Sequence, residues 1–355
     1  MVNEVLSGEK MSISKYFYVF QILLISIALS ACGSSSSDSE STNEASITTS
    51  DVGIRFSDVP VDDLQSVVIT VDALRFRRNG DDEAGGDDIV VNTFTSEELN
   101  LTDSETFQLN LLELQGLTSS LVLDSVTLPV GDYQNLIIEV LNDSDNTETY
   151  VQEVGSDDHK ELKVPSETLK LGGFTVSATS SQTFVVEFGL RHAMTYNPGP
   201  DRYILKPRGV RIVRLADASN VSGNVDLSTA SCSPTDDESL NHVAYLYEGH
   251  ELNVALLGDV FDREIDIDVP ENIIAPAVAT SIDENGDYLF PYLNDGDYTL
   301  AISCNASEDN AADYDEIAIS SPSGHLVELT LATETNMTCD FIEGLDVTCE
   351  ESTSL

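Results

Sequence analysis

Basic side chains are scarce in this sequence. Its 355 residues hold 16 Lys and Arg against 63 Asp and Glu, a formal net charge of −47. Such a chain repels nucleic-acid phosphates and gains nothing from broad contact with anionic lipid surfaces. Catalytic signatures are missing too. No Gly-x-Ser-x-Gly, no His-Glu-x-x-His and no glycine-rich phosphate loop occurs, and His159, His192, His242, His250 and His325 sit in no catalytic context. The four cysteines of the last third show no Cys-x-x-Cys spacing, which leaves zinc without its usual ligand pairs. Aromatics make up 7% of the chain, yet a hydrophobic content of 41% is enough for folded domains. Past the first thirty residues no long segment repeats at 3.6 residues, so long helices are not expected.

What is present begins with an apolar run from Tyr16 to Ala31, preceded by Lys15 and followed by a serine-rich segment. It is shorter than the ~20 residues of a membrane span and reads as a secretory signal over residues 1–31, with Met11 as the better start because Glu4 and Glu9 spoil the region before it. Residues 32–51 are mostly small and polar and read as a flexible tether. Four further cysteines, Cys232, Cys304, Cys339 and Cys349, suggest two disulfides in an exported chain; of three pairings we favour Cys232–Cys304 and Cys339–Cys349.

The body of the chain patterns as β structure. Strands are expected at Ser66–Val71, Leu121–Leu128, Gln134–Leu141, Phe174–Ala178, Phe184–Phe188 and Val210–Leu215, with an acidic hairpin tip over 81–88 and an irregular turn over 110–116. A second β region starts near Val221. There Val243–Tyr247 reads as a strand, and Asp262–Val269 alternates so as to put Ile265, Ile267 and Val269 into a core. One motif occurs twice: Leu128-x-x-Gly131-Asp132-Tyr133 and Leu293-x-x-Gly296-Asp297-Tyr298. We read it as one corner device, a glycine at a tight turn with a tyrosine packed two residues on.

Three resemblances organise these readings. Leu29-Ser30-Ala31-Cys32 resembles the lipobox of bacterial lipoproteins, which implies an acylated (palmitate-type) Cys32 as the mature N-terminus. Gly33 after it implies the outer membrane. Ser57-Asp58-Val59-Pro60, Leu109 to Leu114, Leu128 to Tyr133, Phe188-Gly189-Leu190-Arg191 and Tyr203 to Pro207 resemble, in that order, the bacterial lipoproteins of domain of unknown function 4382. That family implies location and class but no activity. Asp283 to Phe290 followed by Leu293 to Ile302 looks like the central hairpin of transthyretin-like, carboxypeptidase regulatory-like sandwiches, used as spacers and binding modules.

The expectation is an all-β protein of two tandem β-sandwiches over 52–218 and 219–342, with an acidic tail over 343–355. It would act as a lipid-anchored, non-catalytic outer-membrane or cell-envelope module, holding the membrane through its acyl anchor and engaging an envelope protein or glycan. A calcium-dependent surface adhesion protein and a carboxylate-based hydrolase are the alternatives. No cofactor is expected, calcium being the one that the Asp-rich loops allow. Its candidate ligands are Asp283, Asn285 and Asp287, although residue 294 is Asn where an EF-hand would need Glu. Arg75, Arg77 and Arg78 form the basic cluster and are expected to pair with nearby carboxylates.

Overall fold

The computed structural model describes residues 48–59, 64–79, 88–228, 232, 241–342 and 347–352. Cys32, the signal, most of the tether and most of the acidic hairpin tip lie outside the described residues. What is described is nearly all strand, broken by short 3-10 turns and one four-residue helix, Leu190–Ala193.

The first half builds two facing sheets. A four-stranded sheet runs in the order Val210–Arg214, Ser181–Phe188, Thr49–Asp58, Ser119–Pro129. The second sheet is centred on the 15-residue strand Leu64–Arg78, which pairs antiparallel with Gly131–Val140, Tyr150–Glu153 and Phe107–Asn110. Period-two alternation sends Val52, Ile54, Phe56, Phe184 and Phe188 from one sheet against Val67, Ile69, Phe76, Leu136 and Ile138 from the other, and all are buried in one core. Phe56 and Phe188 meet edge-to-face inside it, and the partly buried Phe174 packs edge-to-face on Phe184 at its margin. The first strand starts at Thr49, three residues earlier than composition suggested. The 110–116 turn is a 3-10 helix, Leu111–Leu114, whose first amides are capped by Asn110 Oδ1 accepting from Leu112 N at 3.3 Å.

The second half repeats the plan. Asp287–Leu293, Ser219–Asn224, Asn336–Asp340 and Thr348–Glu351 form one sheet; Val278–Ile282, His242–Glu248, Gly296–Ser303 and Leu326–Leu331 form the other. Val221, Phe290 and Phe341 meet Leu246, Leu300 and Ile302 between them. The strand Thr348–Glu351 occupies part of the expected acidic tail. It is stapled to its neighbour by Cys339–Cys349, which face each other in register, while Cys232–Cys304 joins the loop after the first strand to the opposite sheet. Both favoured pairings are present.

The strand His242–Glu248 is buried on both faces. Tyr245 and Tyr247, on the side away from the sandwich core, are covered by a layer of irregular chain carrying Leu257, Val260, Ile274, Ala306 and Ile317. This layer overturns the strand expected at Asp262–Val269. Ile267 is 81% exposed and Ile265 44% exposed, and only Val269 is buried. The aspartates decide this locally: Asp262 Oδ1 accepts from Glu264 N at 2.9 Å, and its carbonyl accepts from Ile265 N and Asp266 N. Asp266 Oδ1 accepts from Asp268 N at 3.2 Å. Side-chain caps satisfy the amides that a neighbouring strand would otherwise have to satisfy.

The twice-occurring motif has one geometry. Tyr133 Oη donates to Pro129 O at 2.9 Å and Tyr298 Oη to Asn294 O at 3.1 Å, each four residues back. Gly131 and Gly296 take φ of +134° and +152°, closed to most side chains. Asp132 and Asp297 each accept from a threonine on the adjacent strand, Thr175 and Thr330, both at 2.7 Å.

From Ile47 onward the chain forms a single unit, the two sandwiches in contact. Val59, at the end of the first strand, packs into the core of the second sandwich.

Candidate functional site

The buried carboxylates Asp58, Glu187, Asp259 and Asp262 lie around the place where the sandwiches meet. Strand register puts Ser57, Glu187 and Arg211 in one row on the outer face of the first sheet. Arg211 Nε and Nη2 donate to Tyr292 O and Pro291 O of the second sandwich, at 3.2 and 2.6 Å. Tyr292 Oη reaches back to Leu117 O at 2.9 Å. Glu187 is fully buried, and no hydrogen bond of ordinary geometry reaches its oxygens among the described residues. Burial pushes its carboxyl up to about 8 against the pull of Arg211 and Ser57. Asp58, equally buried, is also raised well above the carboxylate range, first by desolvation and then by Glu187; the amides of Leu190 and Val59 offset only part of this.

A second set of contacts clamps the short helix Leu190–Ala193 and the 206–209 turn onto the irregular layer. Arg191 meets the buried Asp309 at 3.3 Å. Asp309 also accepts from Tyr245 Oη at 2.7 Å and from Val260 N at 3.2 Å. Lys206 meets Asp262 at 2.6 Å, and Arg208 donates to Phe261 O at 2.7 Å and to Ala311 O. Thus four cations of the first sandwich, Arg191, Lys206, Arg208 and Arg211, are spent on carboxylates and carbonyls of the second. Beneath them Asp259 is pushed up to about 7 by burial, and His192 is held near 4, neutral, by desolvation and by Arg208.

Beside the clamp opens a cleft of about 400 Å³, lined by residues of both sandwiches, among them Arg191, Thr195, Tyr196, Tyr203, Asn241 and Asp309. Tyr196 and Tyr203 form its aromatic wall, ring centres 5.1 Å apart. Lys160 braces that wall, lying 5.0 Å over the Tyr196 ring and meeting Glu153 at 2.9 Å and Asp201 at 2.8 Å. Tyr196 Oη donates to Asp201 and Tyr203 Oη to Glu153, at 2.6 and 2.8 Å.

The residues singled out in the sequence fall elsewhere. In the Asp283–Asp287 turn, Asp283 Oδ1 accepts from Asn285 N and Asp287 N at 2.8 and 2.9 Å, and Asp287 Oδ1 accepts from Asn224 Nδ2 at 2.8 Å. Those oxygens close a turn, and among the described residues no group of three or more His, Cys, Asp or Glu is arranged to hold a metal ion. Asp143 likewise caps its own loop by accepting from Thr147 N and Glu148 N. His242 and His250 do not meet: one contacts Cys304 O at 2.8 Å, the other Leu329 O at 3.0 Å. Arg75 pairs with Glu139 at 2.5 Å and Arg77 with Asp88 at 2.9 Å, as expected for two of the cluster's three arginines; Arg78 meets no carboxylate among the described residues. Sequence reasoning missed the junction. Its one visible signal is Glu187, a lone acid inside the apolar run Phe184 to Phe188.

Comparison with known proteins bears on the first half. Residues 49–207 match the family described as domain of unknown function (DUF4382). That span contains the first sandwich up to Pro207 and so supplies two of the four junction cations, Arg191 and Lys206. No curated protein matches the chain. Among solved structures, the Bacillus anthracis TIE protein aligns at 9% identity and a TM-score of 0.19, covering 85% of this chain, which spans only 34% of that one. The minor pilin GBS52 of Streptococcus agalactiae aligns at 10% identity and a TM-score of 0.17, covering 85% of this chain and 98% of the pilin. A putative cell adhesion protein of Bacteroides eggerthii aligns at 8% identity and a TM-score of 0.21, covering 86% and 95%. At such scores the alignments carry no argument. No helix among the described residues is long and apolar enough to cross a membrane.

Proposed function

We propose that this is a lipid-anchored, non-catalytic module of the bacterial cell envelope, held at the outer membrane through an acylated Cys32. Its paired sandwiches, the second of transthyretin-like kind, stand off the membrane as one body and present a binding surface. The observation that carries the reading is the clamped junction. Four of the few cations in a strongly acidic chain are committed to joining the sandwiches, which suits a stiff spacer that presents a surface. The anchor is tested by metabolic labelling with an alkynyl fatty acid in an envelope-competent bacterial host: wild type takes up label and fractionates with membranes, and Cys32→Ser does neither. A Cys32→Ser variant that still carries label, or an unlabelled wild type, overturns the reading.

A further inference from the structure

We propose that the junction cleft is a binding site for a neutral saccharide. This deepens the envelope-module reading and rests on it. Three observations point the same way. First, the cleft has the concavity of a small-ligand site, about 400 Å³, and a mixed lining with apolar Leu64, Leu190 and Met194 beside polar groups. Second, its wall is a tyrosine pair held ready. Tyr196 is 43% exposed, and both hydroxyls are tied to acids that Lys160 in turn holds. An exposed aromatic face above a polar rim matches the apolar C–H face and hydroxyl edge of a pyranose ring. Third, Thr195 is 4% exposed and lines the cleft, yet its Oγ1 has no hydrogen-bond partner among the described residues. A buried hydroxyl left without a partner costs stability, and a ligand hydroxyl entering the cleft would satisfy it.

Charge narrows the class. Arg191 and Asp309 neutralise each other inside the cleft, so neither is available to select an ionised ligand. The surrounding field of a −47 chain repels uronates, sialates and phosphorylated sugars within a Debye length, about 8 Å at physiological salt. A neutral hexose or N-acetylhexosamine chain is what remains.

The test uses the soluble chain from Gly33 to the C-terminus on an array of neutral gluco-, manno-, galacto- and N-acetylhexosamine oligomers beside their uronate counterparts. Titration calorimetry of the strongest neutral hexasaccharide follows. Binding of a neutral oligomer, lost at least tenfold in Tyr196→Ala, retained in Tyr196→Phe and weakened several-fold in Thr195→Val, is the expected result. Tyr196→Phe keeps the ring and controls for folding. Absence of any neutral hit, preference for the uronates, or affinity indifferent to Tyr196→Ala overturns the proposal. Acyl labelling of Cys32 is read separately, so an empty array leaves the envelope reading standing, and an unlabelled chain that binds sugar does the reverse.

Discussion

Replacing Glu187 by glutamine should make this protein more stable in alkali while changing little in acid. Glu187 lies fully buried at the junction, with its carboxyl pushed from an ordinary value near 4.5 up to about 8 by desolvation. In the unfolded chain it releases its proton near the ordinary value; in the folded chain it holds it. Below pH 4.5 both states are protonated and no penalty exists. As pH rises the unfolded state is favoured by about 1.4 kcal/mol per unit, until the folded carboxyl also ionises. The window from pH 4.5 to about 8 therefore removes on the order of 5 kcal/mol. Glutamine is nearly isosteric with the protonated acid and does not titrate. Urea unfolding of wild type and Glu187→Gln at pH 5, 7 and 8.5 should give curves within about 1 kcal/mol of each other at pH 5, the variant pulling ahead by several kcal/mol at pH 8.5. Groups that do not feel Glu187, including the buried His192, are common to both proteins and cancel in the difference. Asp58, which Glu187 helps to raise, does not cancel fully and leaves a residual slope, which Asp58→Asn in the same background should flatten. A variant destabilised equally at pH 5 and pH 8.5 would refute the reasoning, because it would mean that Glu187 is ionised throughout and serves as the counter-charge of Arg211.

Two further outcomes follow from the geometry. Removing Cys232–Cys304, whose partners are 72 residues apart, should cost about 4 kcal/mol, and removing Cys339–Cys349, 10 apart, about 3 kcal/mol, measured as paired Cys→Ser variants in urea; the reverse order would contradict the chain-entropy account. Thermal unfolding at fixed ionic strength should shift equally in calcium and magnesium, because Asp283 already spends its carboxylate on Asn285 N and Asp287 N; a calcium-specific rise would show that the turn opens to take the ion.

Where the sequence could be read, local chemistry and tertiary context agreed. The strand around Val67 to Val71 is apolar and β-branched, and it is buried on both sides. The repeated Gly-Asp-Tyr corner was visible because its hydrogen bond spans only four residues. Asp262 to Val269 misled because alternation measures period, and it cannot see that each aspartate caps the amide two residues on. The clamp was invisible for a different reason. Arg191, Lys206 and Arg208 find partners 50 to 120 positions away, across a boundary that composition marks only as a small polar connection. In a chain with 63 acids, no single carboxylate announces itself as the partner.

Each sandwich opens with a strand that lies parallel to one made much later. Thr49–Asp58 pairs with Ser181–Phe188, and Ser219–Asn224 pairs with Asn336–Asp340. A parallel neighbour cannot be supplied by a tight hairpin, so each opening strand must wait for distant chain to arrive. For a polypeptide emerging N-terminus first, the first sandwich cannot close until nearly all of its own sequence has appeared. The second must wait for the last strands of the chain, where its shorter disulfide then forms. Throughout that interval an unpaired edge rich in Val, Ile and Phe is open to other chains. The −47 net charge, which repels itself within the finished fold, keeps like chains apart while that edge is exposed.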